Sequence, residues 1–359
     1  MLGGFPGSFE EGDIAFLLTP LALAETPTEE KERAIQSGAR HYSEMIGREE
    51  PPSAAYRALY ADALARHAPR AGREIAGLAK GLAEAIEGPI TLLSLVRAGA
   101  PLGVLLRRAL AALGRDVAHA GVSIIRDRGI DDVALAHVAA RRPTAGGVFV
   151  DGWTGKGAIA GELVRTLSGR GDWAPRLVTL ADPCGRAWLS ASGEDWLIPS
   201  GILGATVSGL VSRTILNEAI GANDFHGCRV WNHLAAHDVT RDHVEALWAR
   251  VLPALSDAAV RPIRPEDPTR ERRREASRAV VSGVAARFDV DDLNRIKPGI
   301  AEATRAVLRR VPERVLVASA ADPDCAALVH LARERGVPLE EAGDAIAPYR
   351  ALTLIRRVS

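Results

Sequence analysis

The chain has 359 residues, of which 47% are hydrophobic and 25% charged, and its formal net charge is zero. This length and composition predict a folded protein with two domains, and a neutral chain has no general attraction for nucleic acid or an anionic membrane. The three cysteines, Cys184, Cys228 and Cys325, form no CxxC pair, which disfavours a zinc knuckle or a disulfide framework.

The N-terminal part combines an apolar stretch with a long helical pattern. Phe16 to Ala24 is apolar, but acidic residues precede it where a signal peptide would carry positive charge. No run in the sequence reaches the roughly 20 apolar residues of a membrane span, so we expect a cytoplasmic protein without a membrane partner. Apolar and alanine positions in residues 28–87 recur at helical spacing, which predicts helix until Pro89.

Short apolar runs then alternate with helix-like segments. The runs are 90–95, 117–125, 147–150 and 177–181, and the helical segments between them are 101–113, 131–140 and 158–167. This alternation predicts an α/β fold with a parallel sheet flanked by crossover helices. In such sheets ligands bind at the carboxyl ends of the strands.

The sequence changes character near residue 257. Three prolines precede the charge-dense segment 270–275, which favours a linker, although an exposed helix also fits the arginines. The last 71 positions, 289–359, predict a small α/β domain with helices at 301–309 and 326–336 and strands at 314–318 and 351–355. We therefore divide the chain into a larger domain at 1–256, a linker at 257–288 and a small domain at 289–359.

A glycine-rich loop follows the third apolar run. Its sequence is Val148-Phe149-Val150-Asp151-Gly152-Trp153-Thr154-Gly155-Lys156-Gly157-Ala158. A strand that enters such a loop before a helix offers backbone N–H groups to a phosphate. Thr154 adds a hydroxyl, Lys156 a cation, and Asp151 a carboxylate for ribose hydroxyls or Mg²⁺. The spacing is not that of a Walker A loop, and a turn that needs glycine for backbone reasons alone is the alternative.

Two further strand ends carry donors for anions. Arg97, Ala98 and Gly99 follow the first run, and Arg126 and Arg128 follow the second. Three successive loops with cations or exposed amides predict one ligand with several phosphates. Taken singly, an arginine at a strand end is more often a solvated surface residue.

The motifs carry a resemblance to known families. The order of the loops is similar to that of type I phosphoribosyltransferases. Several segments also resemble the phosphoribosyltransferase-like proteins of bacterial tellurium-resistance gene clusters, a family also labelled StiP, in which some members have a cysteine-protease name. These segments are Ile35-Gln36-Ser37-Gly38, Arg40-His41-Tyr42-Ser43-Glu44, 93–101, 150–158, Val207 to Thr214 and Asp224-Phe225-His226-Gly227. The resemblance implies a type I phosphoribosyltransferase-like sheet, phosphoribosyl diphosphate or a related sugar phosphate as the ligand, and Mg²⁺ as the cofactor.

The resemblance also implies roles for individual residues. Asp151 becomes the ribose and metal contact, and Asp182 joins it as a catalytic residue. Arg97, Ala98 and Gly99 would bind the pyrophosphate, with Arg126 and Arg128 closing over it. The other substrate-binding residues are Gly152, Thr154, Gly155, Lys156, Gly157, Ala158, Ser208, Ser212 and Arg213. Gly152 stands where these transferases have a second acid, and a small-residue helix is an equal interpretation of the segment around Ser208.

The C-terminal segment has a turn of its own. Asn294 to Arg305 places Lys297, Pro298 and Gly299 before a helix, which is similar to the nucleic-acid-facing turn of Pelota-type domains. This resemblance implies RNA binding through Lys297, Gly299, Glu302 and Arg305, and further arginines nearby suit phosphate contacts. Almost no aromatic residue is present for base stacking, so a structural or docking domain is a close alternative.

The leading hypothesis is therefore transfer of a phosphoribosyl group from phosphoribosyl diphosphate to an unknown acceptor, and a homo-oligomer is compatible with it. Two alternatives stay open. One is a cysteine hydrolase, for which Cys184 beside the predicted pocket is a better nucleophile than Cys228, because His226 is too close in sequence to pair with Cys228. The other is a non-catalytic protein that binds nucleotide and RNA.

Overall fold

The computed structural model describes residues 2–358 and contains a larger N-terminal unit. Its strands are β1 (Ala15–Phe16), β2 (Thr19–Pro20), β3 (Ile90–Leu95), β4 (Val117–Val122), β5 (Ile124–Ile125), β6 (Gly129–Ile130), β7 (Gly147–Val150), β8 (Leu177–Ala181), β9 (Leu189–Ser192) and β10 (Gly227–Cys228). Its helices are α1 (Thr28–Gln36), α2 (Ala54–Ala85), α3 (Ala100–Ala112), α4 (Asp132–Ala139), α5 (Ala158–Leu167) and α6 (Thr240–Ser256).

Six of these strands form one sheet in the order β1-β4-β3-β7-β8-β9, with every neighbouring pair parallel. Successive side chains of a strand point to opposite faces, and the two faces bury different cores. Leu92 packs in the core with α2, α3 and α6, whereas Leu93 packs in the core with α4 and α5. The predicted parallel sheet flanked by helices is thus confirmed, while its assignment to the phosphoribosyltransferase type stays a prediction.

Two segments differ from their predicted structure. The helix expected over 28–87 is two helices, because Gly38 takes a left-handed φ of 72° and Pro51 and Pro52 interrupt the chain before α2. The small-residue helix considered near Ser208 does not form, since only single 3₁₀ turns occur at Pro199–Gly201 and Ala205–Val207. Positive φ angles at Gly209 and Leu210 explain why no longer helix is built there.

The C-terminal unit is a four-stranded sheet with three helices. Its elements are α7 (Arg270–Arg287), β11 (Ile296–Pro298), α8 (Ile300–Arg309), β12 (Pro312–Val317), α9 (Ala326–Glu334), β13 (Leu339–Glu341) and β14 (Ala351–Ile355). The strand order is β11-β14-β12-β13, and β14 is antiparallel to both of its neighbours. The charge-dense segment 270–275 of the predicted linker lies on α7, whose Val280 and Val284 are buried against this sheet. The domain boundaries themselves stay a prediction.

Helix α2 joins the two units. Tyr56 and Tyr60 near its start are buried in one core with Ile300 and Val307 of α8. Ile75 and the residues after it pack against the large sheet instead. Both units therefore pack against this helix, and a cavity lies between them.

Within residues 2–358, no helix combines the length and the apolar character needed to cross a bilayer.

Candidate functional site between the two units

A cavity of about 380 Å³ lies where the carboxyl ends of β3 and β7 face α8. Because β3 and β7 are parallel neighbours, the turns that follow them open at the same edge of the sheet. Ala98 from the first turn, Asp151 from the second and Arg305 from α8 all line the cavity. Two of the predicted loops therefore meet in one site, and the C-terminal unit supplies a wall of it.

Glycines fix the shape of both turns. A Cβ on Gly99 would lie 2.0 Å from the carbonyl oxygen of Val150, so the first turn passes directly over the end of β7. Gly157 has a φ of 86° and precedes α5, and a Cβ there would lie 2.7 Å from Cγ of Arg186. The backbone N–H of Thr154 donates to the carbonyl of Ala181 at 2.9 Å, which ties the loop to β8.

Cations dominate the lining of the cavity. Five of them make no ion pair within the described residues, namely Lys31, Lys156, Arg213, Arg305 and Arg309. Burial, with the repulsion of nearby cations, lowers the pKa of Lys31 and of Lys156 to about 8. The same causes lower the pKa of Arg305 to about 10. Nε of Arg305 and Nη2 of Arg309 are buried without a hydrogen-bond partner.

The acids of the cavity do not neutralise these five cations. Glu49 pairs with Arg97 at 2.5 Å, and Glu302 pairs with Lys297 at 3.6 Å. Burial raises the pKa of Asp151 to about 7, so a large fraction of this carboxyl is protonated at neutral pH and unable to bind a metal as a carboxylate. Within residues 2–358 no three His, Cys, Asp or Glu side chains are grouped to hold a metal ion. Mg²⁺ at Asp151 stays a prediction.

All three cysteines are buried and unpaired. Burial raises the pKa of Cys184, Cys228 and Cys325 to about 12 in each case, and the Asp182 carboxylate adds to this effect at Cys184. The Cys184 thiol donates to Oδ1 of Asp182 at 3.7 Å, and the Thr154 hydroxyl donates to the same oxygen at 2.5 Å. Cys184 therefore does not line the cavity itself, but is joined through Asp182 to Thr154 of the loop that does.

Most of the residues predicted for the site do line the cavity. They are Ala98, Arg126, Asp151, Thr154, Gly155, Lys156, Gly157, Ala158 and Arg213 from the larger unit, and Lys297, Glu302 and Arg305 from the smaller one. Their assignment to particular ligand groups stays a prediction. The structure adds that the residues predicted in the larger unit and those predicted in the smaller unit face one another across the same cavity.

The other predicted residues are engaged elsewhere. Arg97 donates to the carbonyl of Val211 at 2.8 Å besides pairing with Glu49, and Arg128 pairs with Glu44. Asp182 is fully buried and accepts from the backbone N–H groups of residues 186 and 187. The hydroxyls of Ser208 and Ser212 donate to the carbonyls of residues 204 and 213. Gly99 and Gly152 shape the turns without lining the cavity.

The residues predicted for RNA binding point toward the larger unit. The Lys297 side chain is 12% exposed, and the Arg305 guanidinium lies 5.1 Å from the ring centre of Trp153. A Cβ on Gly155 would lie 2.1 Å from Oε2 of Glu302, so this carboxylate touches the glycine-rich loop. Gly299 donates its backbone N–H to the carbonyl of Ala351 at 2.8 Å. RNA binding by these four residues stays a prediction.

Sequence reasoning missed Lys31 and Glu49, which come from segments with no motif, whereas Arg309 is one of the arginines after the Lys-Pro-Gly turn that were expected to suit phosphate contacts. One signal points to the first of them. The chain has only four lysines, and Lys31, Lys156 and Lys297 all line the cavity, so the rarity of lysine marks the site. Glu49 carries no comparable signal, because it reaches the cavity through contacts between distant parts of the chain.

Comparisons with known proteins agree with the two-unit architecture. The family described as "Tellurite-like stress resistance cysteine protease StiP" matches residues 7–248, and the family described as "PELOTA RNA binding domain" matches residues 275–357. A protein from Acinetobacter baylyi named "Cysteine protease StiP" is 44% identical over 368 aligned residues, which cover 99% of this chain and 95% of that protein.

These comparisons correct the functional prediction. Both the matching family and the relative are named as cysteine proteases, which are hydrolases, so the prediction of a glycosyltransferase acting on phosphoribosyl diphosphate is wrong. The physical reason is that a cation-lined, glycine-rich loop after a strand indicates an anion site without specifying the reaction. The resemblance to the tellurium-resistance proteins is confirmed. By the match over residues 7–248 and the identity to a relative along nearly its whole length, the chain belongs to the StiP family.

Proposed function

We propose that this chain is a hydrolase of the cysteine-protease class in which Cys184 is the nucleophile. The class comes from the name of the Acinetobacter relative. The residue comes from one structural observation, the position of Cys184 directly behind the loop that lines the cavity. Its Sγ would lie 3.3 Å from a Cβ on Gly157, and Asp182 links it to Thr154.

The surroundings of Cys184 keep its thiol protonated and therefore unreactive. With a pKa raised to about 12, Cys184 holds little thiolate at neutral pH, and thiolate is the reactive form. Among the hydrogen bonds of residues 2–358, none joins a cysteine sulfur to a histidine ring, the usual base. The proposal therefore requires the loop at 153–157 to move when substrate binds, so that a substrate carbonyl reaches Sγ.

The proposed chemical step moves the thiol proton of Cys184 by way of Asp182. Sγ of Cys184 bonds to the carbonyl carbon of the substrate, and the thiol proton passes to Asp182, which already accepts a hydrogen bond from it. The proton next reaches the leaving amine as the carbon–nitrogen bond breaks. Water then hydrolyses the thioester and restores the thiol.

Thiol labelling tests this proposal. The full chain is incubated with an electrophilic peptide-based probe, and labelled residues are identified by mass spectrometry of the intact protein and its fragments. We expect one labelled site, lost in Cys184→Ala and kept in the matched variants Cys228→Ala and Cys325→Ala. Equal labelling of Cys184→Ala and the wild type, or loss only in Cys228→Ala, would overturn the assignment.

We also propose that the C-terminal unit binds RNA. The match of residues 275–357 to the Pelota family supports it. Because Lys297 and Arg305 face the larger unit, RNA contact through them requires that the cavity open. Fluorescence anisotropy with single-stranded RNA at several salt concentrations tests this, and Lys297→Gln is expected to weaken binding and reduce the salt dependence. Unchanged binding in that variant contradicts a role for this turn.

The three free cysteines suit the cytoplasm, which we propose as the location.

A further inference from the structure

The geometry points to a binding site, shared by both units, for a small ligand that carries at least two anionic groups of phosphate or carboxylate type. This inference goes beyond the proposed hydrolase activity, because it involves none of the three thiols. It rests on two adjoining groups of cations in the cavity and on the fact that five of these cations, Lys31, Lys156, Arg213, Arg305 and Arg309, make no ion pair within the described residues.

The first cation group is formed by Lys31, Arg213, Arg305 and Arg309. Within the described residues, no carboxylate oxygen lies within 4.0 Å of any of their nitrogens, and two nitrogens of Arg305 and Arg309 are buried without a hydrogen-bond partner. Arg213 lies 5.5 Å from the ring centre of Tyr42, which holds its guanidinium in place. Guanidinium groups held in position but left without an anion suit bidentate binding of phosphate or carboxylate.

The second cation group is formed by Lys156, Lys297 and Arg126. Lys156 contacts only backbone oxygens here, those of Leu293 and Ile296. Its pKa is lowered by burial and by Lys297 and Arg126, whereas that of Lys31 is lowered by burial and by Arg213 and other arginines. The two groups meet at Tyr42, since Arg126 and Arg213 lie 5.3 Å and 5.5 Å from the centre of its ring. Five of the cavity's cations have no acid partner within the described residues, which is more positive charge than one phosphate or carboxylate group balances, so we expect a ligand with at least two anionic groups.

Charge counting explains why a ligand is needed. Nine lysines and arginines line the cavity against three acids, Glu49, Asp151 and Glu302. Four of these cations make ion pairs, Arg48 with Glu25, Arg126 with Asp127, Lys297 with Glu302 and Arg310 with Glu32, which leaves five cations unpaired within the described residues. Glu49 pairs with Arg97, and Glu302 pairs with Lys297. Burial raises the pKa of Asp151, which works against its charged form. Buried charges that serve only structure are normally paired, because an unpaired one loses hydration without compensation. A dianion or trianion would remove the repulsion and supply the missing acceptors.

Calorimetric titration of the full chain with inorganic pyrophosphate and with citrate tests the inference. The variants are Arg309→Gln and Lys31→Gln, and the matched control is Arg272→Gln, which removes the same charge from an exposed position on α7. We expect at least one anion to bind the wild type, with affinity reduced about tenfold or more in both cavity variants and about twofold or less in the control. Cys184→Ala should bind as the wild type does, so failure of the hydrolase proposal would not affect this result.

The outcomes are distinguishable. A preference for pyrophosphate identifies a phosphate-bearing ligand and a preference for citrate a carboxylate-bearing one, and either supports the site. Without ligand, Arg309→Gln should unfold at a temperature no lower than the wild type, because within residues 2–358 this arginine makes no ion pair and its burial and the repulsion of Arg97 and Arg305 outweigh the attraction of Glu49. Absence of binding by both anions at about 1 mM, or equal affinity in Arg309→Gln and Arg272→Gln, overturns the inference.

Discussion

The buried ion pair between Glu49 and Arg97 gives a prediction whose size follows from the structure. Their side chains are 16% and 2% exposed, and Glu49 also accepts the backbone N–H of Ala205 at 3.0 Å. Burial alone would raise the pKa of Glu49, but the attraction of Arg97, helped by that of Arg309, outweighs it and lowers the pKa from 4.5 to about 2. The change Glu49→Gln removes this charge and leaves Arg97 buried without an anion.

The pKa shift sets the expected loss. One pKa unit corresponds to about 1.4 kcal/mol, so a shift from 4.5 to about 2 contributes roughly 3 kcal/mol to the free energy of unfolding. This agrees with the range of about 3 to 5 kcal/mol for removing one partner of a buried pair. Because the folded-state pKa is depressed, the contribution is fully present above pH 4.5 and is lost as the pH falls toward 2.

Urea unfolding near pH 7 and near pH 3 measures this effect. Glu49→Gln should lose roughly 3 kcal/mol near pH 7 and about half of that near pH 3. The matched control is Glu50→Gln, since Glu50 is 72% exposed and should change stability by about 0.5 kcal/mol or less. An equal loss for Glu49→Gln at both pH values, or an equal loss in the control, would refute the reasoning.

Two further predictions concern the loop and the buried histidines. Gly157→Ala should lower stability by about 1 to 3 kcal/mol because of its left-handed φ, whereas Gly161→Ala inside α5, where a Cβ meets nothing within 4 Å, should raise it by about 0.5 to 1 kcal/mol. Thermal unfolding of both variants checks this, and a change of the same sign in both contradicts it. Burial lowers the pKa of His119 and His243 to about 4, so stability should decrease as the pH falls from about 6.5 toward 4. A series of melting temperatures across that range tests it; His243→Gln should weaken the dependence, and a flat wild-type profile would be inconsistent with neutral buried histidines.

The strands of the sheet were the most predictable part of the fold. Four runs, 90–95, 147–150, 177–181 and 351–355, have the same bounds in the structure as in the sequence, because each is a mostly apolar stretch of strand length. Residues 37–53 were not predictable in the same way. Helical spacing on both sides concealed the interruption, although its causes, the left-handed Gly38 and the pair Pro51-Pro52, are residues that commonly break helices.

The site was predictable only in part. Lys156 and Asp151 follow a strand and a glycine-rich loop, so local sequence places them at a strand end. Arg309 was one of several arginines expected to suit phosphate contacts in the C-terminal segment, and only the packing of α8 against the larger unit brings it into the cavity. The reaction type was not encoded locally either, because a cation-lined loop is shared by proteins with unrelated chemistry.

Helix α2 contributes to the hydrophobic cores of both units, which limits how the protein can be divided into fragments. Its first turns cover Ile300 and Val307 of the C-terminal unit, while its later turns cover the large sheet. A fragment made of residues 275–357 alone would therefore expose the apolar side of α8 that Tyr56 and Tyr60 normally shield. Transplanting the Pelota-like part into another polypeptide would therefore require other side chains to cover the surface that those two tyrosines cover here.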